Sequence, residues 1–486
     1  MRRLRTTVAL TASALLGALL YPAVDAAVTR PPDLAVGAPV AAAEQPAATE
    51  IAVEPGLDWR DTDGKLIEAH GGGFLKRGDT YYWYGEDKAA SHNGFAGINV
   101  YTSKDLKRWT AKGQALAPRD EGDLGPQNVG ERPKVLYNAK TGKYVMWLHI
   151  DDRATYLTAR VGVAVADRPE GPYTYRGSFR PLERQSRDMT LFQDRDGSAY
   201  LVFSSANEAG KPNSRLRIAQ LSDDYLSVTK QTHAFPENQY REAPAVVHIG
   251  NTYYMLTSFT TGWSPNPVKY ATAPSLRGPW SEWKPLVDDS EVTYRSQPTA
   301  ILEINGTHGT THMYLGDRWV PSKLNESRYV WLPLQLGGRK ARMEWHDRWY
   351  LDLARGTWRP ETNDTGAVFQ AEARTSTVSG AARFQPCGEA QCARGLGNGD
   401  SLTMTVRSPQ AGRKTLRLYY VNEHTEMRRG HLAANGGEAV VRNFPPTDGK
   451  VRWLEVTVAL KKGANVLTLG NPSEGAPDLD FVTVQP

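Results

Sequence analysis

The chain has 486 residues, 40% hydrophobic and 23% charged, with a net charge of only +5. That length is too great for one ordinary core and implies two folded domains, while the balanced composition excludes a disordered or fibrous chain. Lys and Arg are dispersed, with no basic run interleaved with aromatics, which argues against nucleic acid as a partner.

In chain order, the first feature is an export signal. Arg2, Arg3 and Arg5 precede a short apolar run, Val8 to Leu20, and Val24-Asp25-Ala26 offers small residues for cleavage after Ala26. The run is shorter than the ~20 residues a membrane-spanning helix needs, so the expected product is secreted, without a membrane partner. Residues 27–54, rich in Ala, Pro and Val and without periodicity, read as a disordered leader.

A strand–turn–strand pattern then recurs five times, and repeats of this kind are what a propeller leaves in a sequence. The copies are GGFLKRGDTYYWYGE (72–86), KVLYNAKTGKYVMWLHI (134–150), TLFQDRDGSAYLVFSS (190–205), AVVHIGNTYYMLTSF (245–259) and AILEINGTHGTTHMYLG (300–316). Gly78, Gly142, Gly197 and Gly250 mark hairpin tips where a positive φ is needed. Each copy is followed by another strand, such as VGVAVADRPEGPYTY (161–175) and YVWLPLQL (329–336). Units of roughly 50–60 residues fit four-stranded blades, so residues 55–362 are expected to form a five-bladed β-propeller.

After Trp358-Arg359-Pro360 the texture changes to short alternating runs, among them SLTMTV (401–406), TLRLYYV (415–421), WLEVTVAL (453–460) and DFVTV (480–484). Residues 366–486 therefore read as a jelly-roll-like β-sandwich, reached through an Asn363-Asp364-Thr365-Gly366 hinge, and the whole chain as all-β. Cys387 and Cys392, with four residues between them, suit one local disulfide; a zinc site lacks a second Cys or His pair nearby.

Polar residues stand at the start of each inner strand: Glu68 and His70, then Glu131, Asp188, Glu242 and Gln297. A carboxylate just before an apolar run is costly unless something uses it, and recurrence at one phase of the repeat argues for a shared site. Cleaving a glycosidic bond needs an acid for the leaving oxygen and a second group for water or nucleophilic attack. Glu242 suits the acid, because the following Ala-Pro-Ala desolvates it and Arg241 stands beside it. Asp188, next to Arg187, suits an ionised neighbour that tunes the acid, and Glu131, next to Arg132, an acceptor for sugar hydroxyls.

The motifs AHGGGFL, TYYWYGED, ERPKV, GKYVMWLHID, GPYTY, SRDMTLF, REAPA, Thr261-Gly262-Trp263 and SQPT together make residues 65–335 resemble glycoside hydrolase family 43, and within it the exo-β-1,3-galactanase branch. The resemblance implies Glu242 as general acid, Asp188 as the residue that tunes it, and Glu131 as the group holding the 2-hydroxyl of terminal galactose. It also implies Glu86, Tyr156, Asn207 and Trp263 as contacts to that sugar. Most members carry a base aspartate on the first strand of blade one; here the stretch reads Glu68-Ala69-His70-Gly71, as in the galactanase branch. There the water-activating role falls to a glutamine matching Gln297, a weak base that works only by orienting water or through an imidic-acid tautomer; Glu86 and Asp87 are the other candidates. Inversion at the anomeric carbon implies a separation of roughly 6.5–9.5 Å between the acid and the group that handles water.

The C-terminal domain resembles carbohydrate-binding modules of families 6 and 35 through FQAEA (369–373) and GAPDLDFVTV (475–484). That likeness implies a structural calcium held by Glu372 and Asp480, although Gln370 stands where many members have Glu. Tyr420, Asn422 and Asn471 are candidates for sugar contact or for a structural role. The leading expectation is a monomeric enzyme, with no cofactor in catalysis, that removes galactose from β-1,3-galactan such as the arabinogalactan backbone. An α-L-arabinofuranosidase or β-xylosidase of the same fold is the first alternative, and a non-catalytic sugar-binding propeller the second.

Overall fold

The computed structural model describes residues 50–89, 93–361, 364, 366–387 and 390–486. The export signal, the leader up to residue 49, and Asn363 and Thr365 of the hinge lie outside the described residues. Among those described, the regular structure is strand, with only four short 3-10 turns.

Each of the five repeats folds into one four-stranded antiparallel sheet whose strands pair in sequence order. The innermost strands are His70–Arg77, Asn128–Asn138, Met189–Gln193, Arg241–Ile249 and Gln297–Asn305. They lie side by side in that order, and the fifth packs against the first, closing a ring. The hairpin tips have the expected form: Arg77 pairs with Thr80 across Gly78, and Ile249 with Thr252 across Gly250, both glycines at positive φ. Closure is sealed by Tyr329, whose hydroxyl accepts from the Ala69 N–H and donates to the Ile67 carbonyl, both at 2.8 Å. Beneath it the rings of Trp59, Trp83, Trp109 and Trp331 pack edge-on and tilted, joining the first and fifth sheets through apolar contact.

The starts of the inner strands are bulged, between His70 and Gly73, Glu131 and Lys134, Glu242 and Ala245, and Pro298 and Ala300. A bulge leaves one residue outside the ladder and re-aims the side chain beside it. Pro133 and Pro244 fit there because a bulged position has no ladder bond to donate. Arg132 and Ala243 take left-handed φ values of 53° and 50°, a strain of about 1–3 kcal/mol each that collects where function is sited.

One expectation is corrected here. Residues 50–54 were assigned to the leader, yet Glu50–Val53 is a strand paired with Trp349–Asp352 in a three-stranded sheet completed by Thr357–Pro360. Ile51 and Val53 are buried against the apolar face that Trp349 and Leu351 present. A strand of four residues within an Ala- and Val-rich run has too little alternation to be read from sequence.

Residues from 367 onward form a sheet of six strands and another of five, with Leu402, Leu418, Leu432, Val456, Leu467 and Val482 among the side chains enclosed between them. Cys387 and Cys392 are joined across the hairpin of Arg383–Cys387 and Ala390–Arg394. Arg348 ties this region to the preceding sheets, donating to Glu54 at 2.5 Å and to Glu455 at 2.7 and 2.8 Å.

Candidate active site

A cavity of about 260 Å³ opens where the inner strands begin. Glu131, Asp188, Glu242 and Gln297 reach it from four consecutive sheets, and Glu86 from the second strand of the first sheet. Tyr156 and Trp263 also line it, so the structure brings seven of the eight expected site residues together.

Glu242 is buried, with 7% of its surface exposed. Burial raises its pKa well above the usual carboxyl range, the Asp188 charge adds to the rise, and Arg132 opposes it. That direction favours the protonated form, which is the form able to donate a proton. The arginines that matter are not the sequence neighbours. Arg187 donates to the Tyr156 carbonyl and to Gln185, and Arg241 to Thr257. The partner of Asp188 is Arg132 from the second sheet, with Nε 2.8 Å from the carboxylate.

Glu131 lies in a relay. His149 bridges it at 3.1 Å to Asp151 at 3.0 Å, and the Tyr156 hydroxyl donates to its other oxygen at 2.8 Å. Burial would push the His149 pKa down, but the two carboxylates outweigh it and bring the value up to about 9. Burial likewise works to raise Glu131, and the imidazolium outweighs that, drawing it down to about 2. Glu131 is thus a fixed anion, suited to accepting hydroxyl hydrogen bonds and poor at accepting a proton.

Gln297 is held close to Glu242. Its Nε2 donates to Glu242 at 3.3 Å and to Ser258 at 3.0 Å, while Oε1 accepts from Trp319 at 2.9 Å and from Arg132. Four partners engage the amide and fix its orientation beside the carboxyl of Glu242.

Asn207 is the expected residue that the cavity lacks. Its side chain accepts from the Lys211 N–H at 2.9 Å and donates to Asn238, shaping a turn. Asn213 lines the cavity instead, its amide 3.5 Å from Glu242. Arg132, His149 and Trp319 were also missed: nothing in the local pattern marks them, though Arg132 lies inside the ERPKV motif. Trp319 meets Trp263 edge-on at 4.7 Å, and Lys88 lies over the Trp263 ring at 5.3 Å.

In the C-terminal region, Tyr420 is buried against Phe444, Asn422 donates to the Glu426 and Phe444 carbonyls, and Asn471 to that of Arg429. All three serve the fold. Glu372 Oε2 and Asp480 Oδ1 are buried without a hydrogen-bond partner, and burial together with Glu372 raises the Asp480 pKa to about 6. Two unsatisfied carboxylate oxygens whose charges act on one another fit a hard divalent cation. The sulfurs of Cys387 and Cys392 also lie near Asp480, but a disulfide offers no thiolate.

Residues 73–350 match the family described as Glycosyl hydrolases family 43, and residues 402–484 the one described as Alpha-galactosidase, CBM13 domain, a different module number from the families 6 and 35 that its motifs resemble. Among solved structures, an exo-β-1,3-galactanase from Phanerochaete chrysosporium with β-1,3-galactotriose is 35% identical, with 89% of this chain covering 100% of that one at a TM-score of 0.77. An exo-β-1,3-galactanase from Clostridium thermocellum is 28% identical, with 89% and 100% coverage and a TM-score of 0.61. A curated xylosidase/arabinosidase from Humicola insolens is 41% identical over 69 residues, 13% of this chain and 19% of the relative, so the chain spans about a fifth of that protein's length in the match.

Proposed function

The chain belongs to glycosyl hydrolases family 43, and from that membership we propose that this glycosidase is an exo-β-1,3-galactanase releasing terminal galactose from β-1,3-galactan or the arabinogalactan backbone. The observation that carries the reading is Glu242, a buried carboxyl whose pKa burial and Asp188 push upward, lining a cavity with room for one sugar. Glu242 serves as general acid and Asp188, paired with Arg132, holds its proton affinity high. Glu131 accepts from a hydroxyl of the terminal sugar, and Trp263 offers its face to the apolar side of the ring. Reaction proceeds with inversion.

The five sheets in a ring support a five-bladed propeller, and the two sheets beyond residue 366 a sandwich that binds carbohydrate. Glu372 and Asp480 would hold a structural calcium there. The N-terminal 26 residues support secretion. Incubation with β-1,3-galactan, arabinan and xylan tests the substrate: galactose from the first alone is the expected result. Arabinose or xylose instead would assign the enzyme to the other activities of the family, and no sugar from any of them would make it a binding protein.

A further inference from the structure

Three carboxylates that line the cavity each have one buried cation beside them. Asp188 has Arg132 Nε at 2.8 Å, Glu131 has His149 Nδ1 at 3.1 Å, and Glu86 has Lys88 Nζ at 2.7 Å. Arg132 and His149 themselves line the cavity, where a sugar can touch them. Lys88 does not. It is 3% exposed, so its ammonium has given up water for whatever the protein supplies. Burying a lone charge is costly, and the position is kept only by groups that satisfy it.

Two such groups come from distant parts of the ring of sheets. Glu86 ends Thr80–Glu86, the second strand of the first sheet, and its Oε2 forms the ion pair. Trp263 follows Thr252–Phe259, the second strand of the fourth, and Lys88 Nζ stands over its ring at 5.3 Å from the centroid. The ring face attracts the cation and seats it, while Trp319 fixes the ring edge-on at 4.7 Å. Lys88 is thereby held against the back of one carboxylate, within reach of neither solvent nor substrate.

We propose that Lys88 is a positioning residue for recognition of the terminal sugar, which acts by keeping Glu86 an anionic acceptor for a sugar hydroxyl. The inference deepens the galactanase reading and rests on it, since it takes Glu86 as a contact to that sugar. A carboxylate offers about four lone-pair sites. The Arg132 backbone N–H, 2.9 Å from Oε1, and Lys88 engage two of them, and the anion keeps capacity for a hydroxyl from the cavity. Its charge is what makes that bond strong, and a protonated Glu86 would lose it. Burial raises the Glu86 pKa, Lys88 is the leading influence against that rise, and the Glu131 charge adds to it. The ionisation of Glu86 therefore depends on a side chain that the sugar never meets.

The test uses the full chain and free galactose, with affinity measured by titration calorimetry from pH 5 to 9. K88M keeps the length of the stem and removes the charge. Loss of an adjacent opposite charge raises a carboxyl pKa by about 1–3 units, so the pH below which galactose binding weakens is expected to move up by that amount. At pH 6 the loss is expected to be about tenfold to a hundredfold, the worth of a hydrogen bond to a charged group, and to shrink towards pH 9. E86Q, which has no carboxylate to ionise, is expected to bind weakly at every pH. E86Q/K88M leaves neither charge of the pair buried alone, so it tests the idea even where K88M is unstable; it is expected to bind within about threefold of E86Q.

A K88M affinity within about threefold of the parent at every pH overturns the proposal, as does a double variant whose loss is the product of the two single losses. So does a K88M loss of equal size from pH 5 to 9, because a merely structural lysine would weaken binding without moving its pH dependence. A parent that does not bind galactose sinks the galactanase reading and this proposal with it, whereas the variant outcomes sink the proposal alone.

Discussion

Replacing Asp188 by Asn is the sharpest probe of how this site keeps an acid protonated. The carboxylate stands next after burial among the influences that raise the Glu242 pKa, and Arg132 is the leading influence against it. Asn is isosteric and still accepts from Arg132 Nε, so the shape survives while the charge is lost. Both consequences have one sign: the repulsion that disfavours ionised Glu242 disappears, and the Arg132 charge that favours it is no longer neutralised. A like charge a few ångströms away is worth about 1–3 pKa units, or roughly 1.4–4 kcal/mol. The basic limb of the kcat/KM–pH profile should therefore move to lower pH by about 1–3 units, and above the new limb the rate falls about tenfold per unit. The assay compares two aryl β-galactosides. With a leaving group that needs protonation, D188N should lose most of its rate at pH 7; with a dinitrophenolate, which leaves without a proton, it should lose little. A basic limb that stays in place or moves to higher pH would refute the account of Glu242.

Gly71→Ala should displace the cavity-lining Glu86, since the new methyl would lie 2.2 Å from its oxygen at a φ of +60°; turnover should fall about a hundredfold through misplacement of the site, measured as kcat/KM on galactobiose. Chelation by EDTA should lower the melting temperature, with recovery on adding calcium, and E372A should abolish the calcium response while leaving galactobiose turnover intact. His70 and His149 are both raised from 6.5 to about 9, so their contribution to stability is full below about pH 6.5 and lost as pH rises to about 9. The raised carboxyls Glu86 and Glu242 act in the same direction; Lys134, lowered to about 7, opposes them, as do the lowered His233 and His346 below about pH 6.5 and Arg241 and Arg318, lowered to about 10, at the alkaline end. Melting temperature measured across pH 5–9.5 should accordingly decline on the alkaline side, and a flat or rising profile there would contradict the imidazolium assignments.

Much of the site was legible because each inner strand carries its functional residue at the same phase. Glu131, Asp188, Glu242 and Gln297 stand just before apolar runs, and a ring of sheets places such positions together. What misled was adjacency. Arg187 lines the cavity but donates to Tyr156 and Gln185, Arg241 donates to Thr257, and the arginine that pairs with Asp188 comes from another sheet. Asn207 and Asn213 sit in one connection, and only the folded turn decides which reaches Glu242. Gln297 was assigned a role from family likeness, and its four partners, drawn from several sheets, are invisible in the order of residues.

The sequence by itself determined the all-β character, the five repeats, the glycine turns between their strands and the disulfide, because alternation and turn chemistry act over a few residues. It also marked Glu242 as a carboxyl bound for burial, since it stands before Ala-Pro-Ala at the start of an inner strand. The tertiary structure decided which charges meet. Arg132 joins Asp188, His149 fixes Glu131 as an anion, and Glu86 comes to occupy the space above Gly71. Those pairings arise from ring closure, which brings strands far apart in the chain within hydrogen-bonding distance, and electrostatic forces of that range depend on distance in space rather than along the sequence.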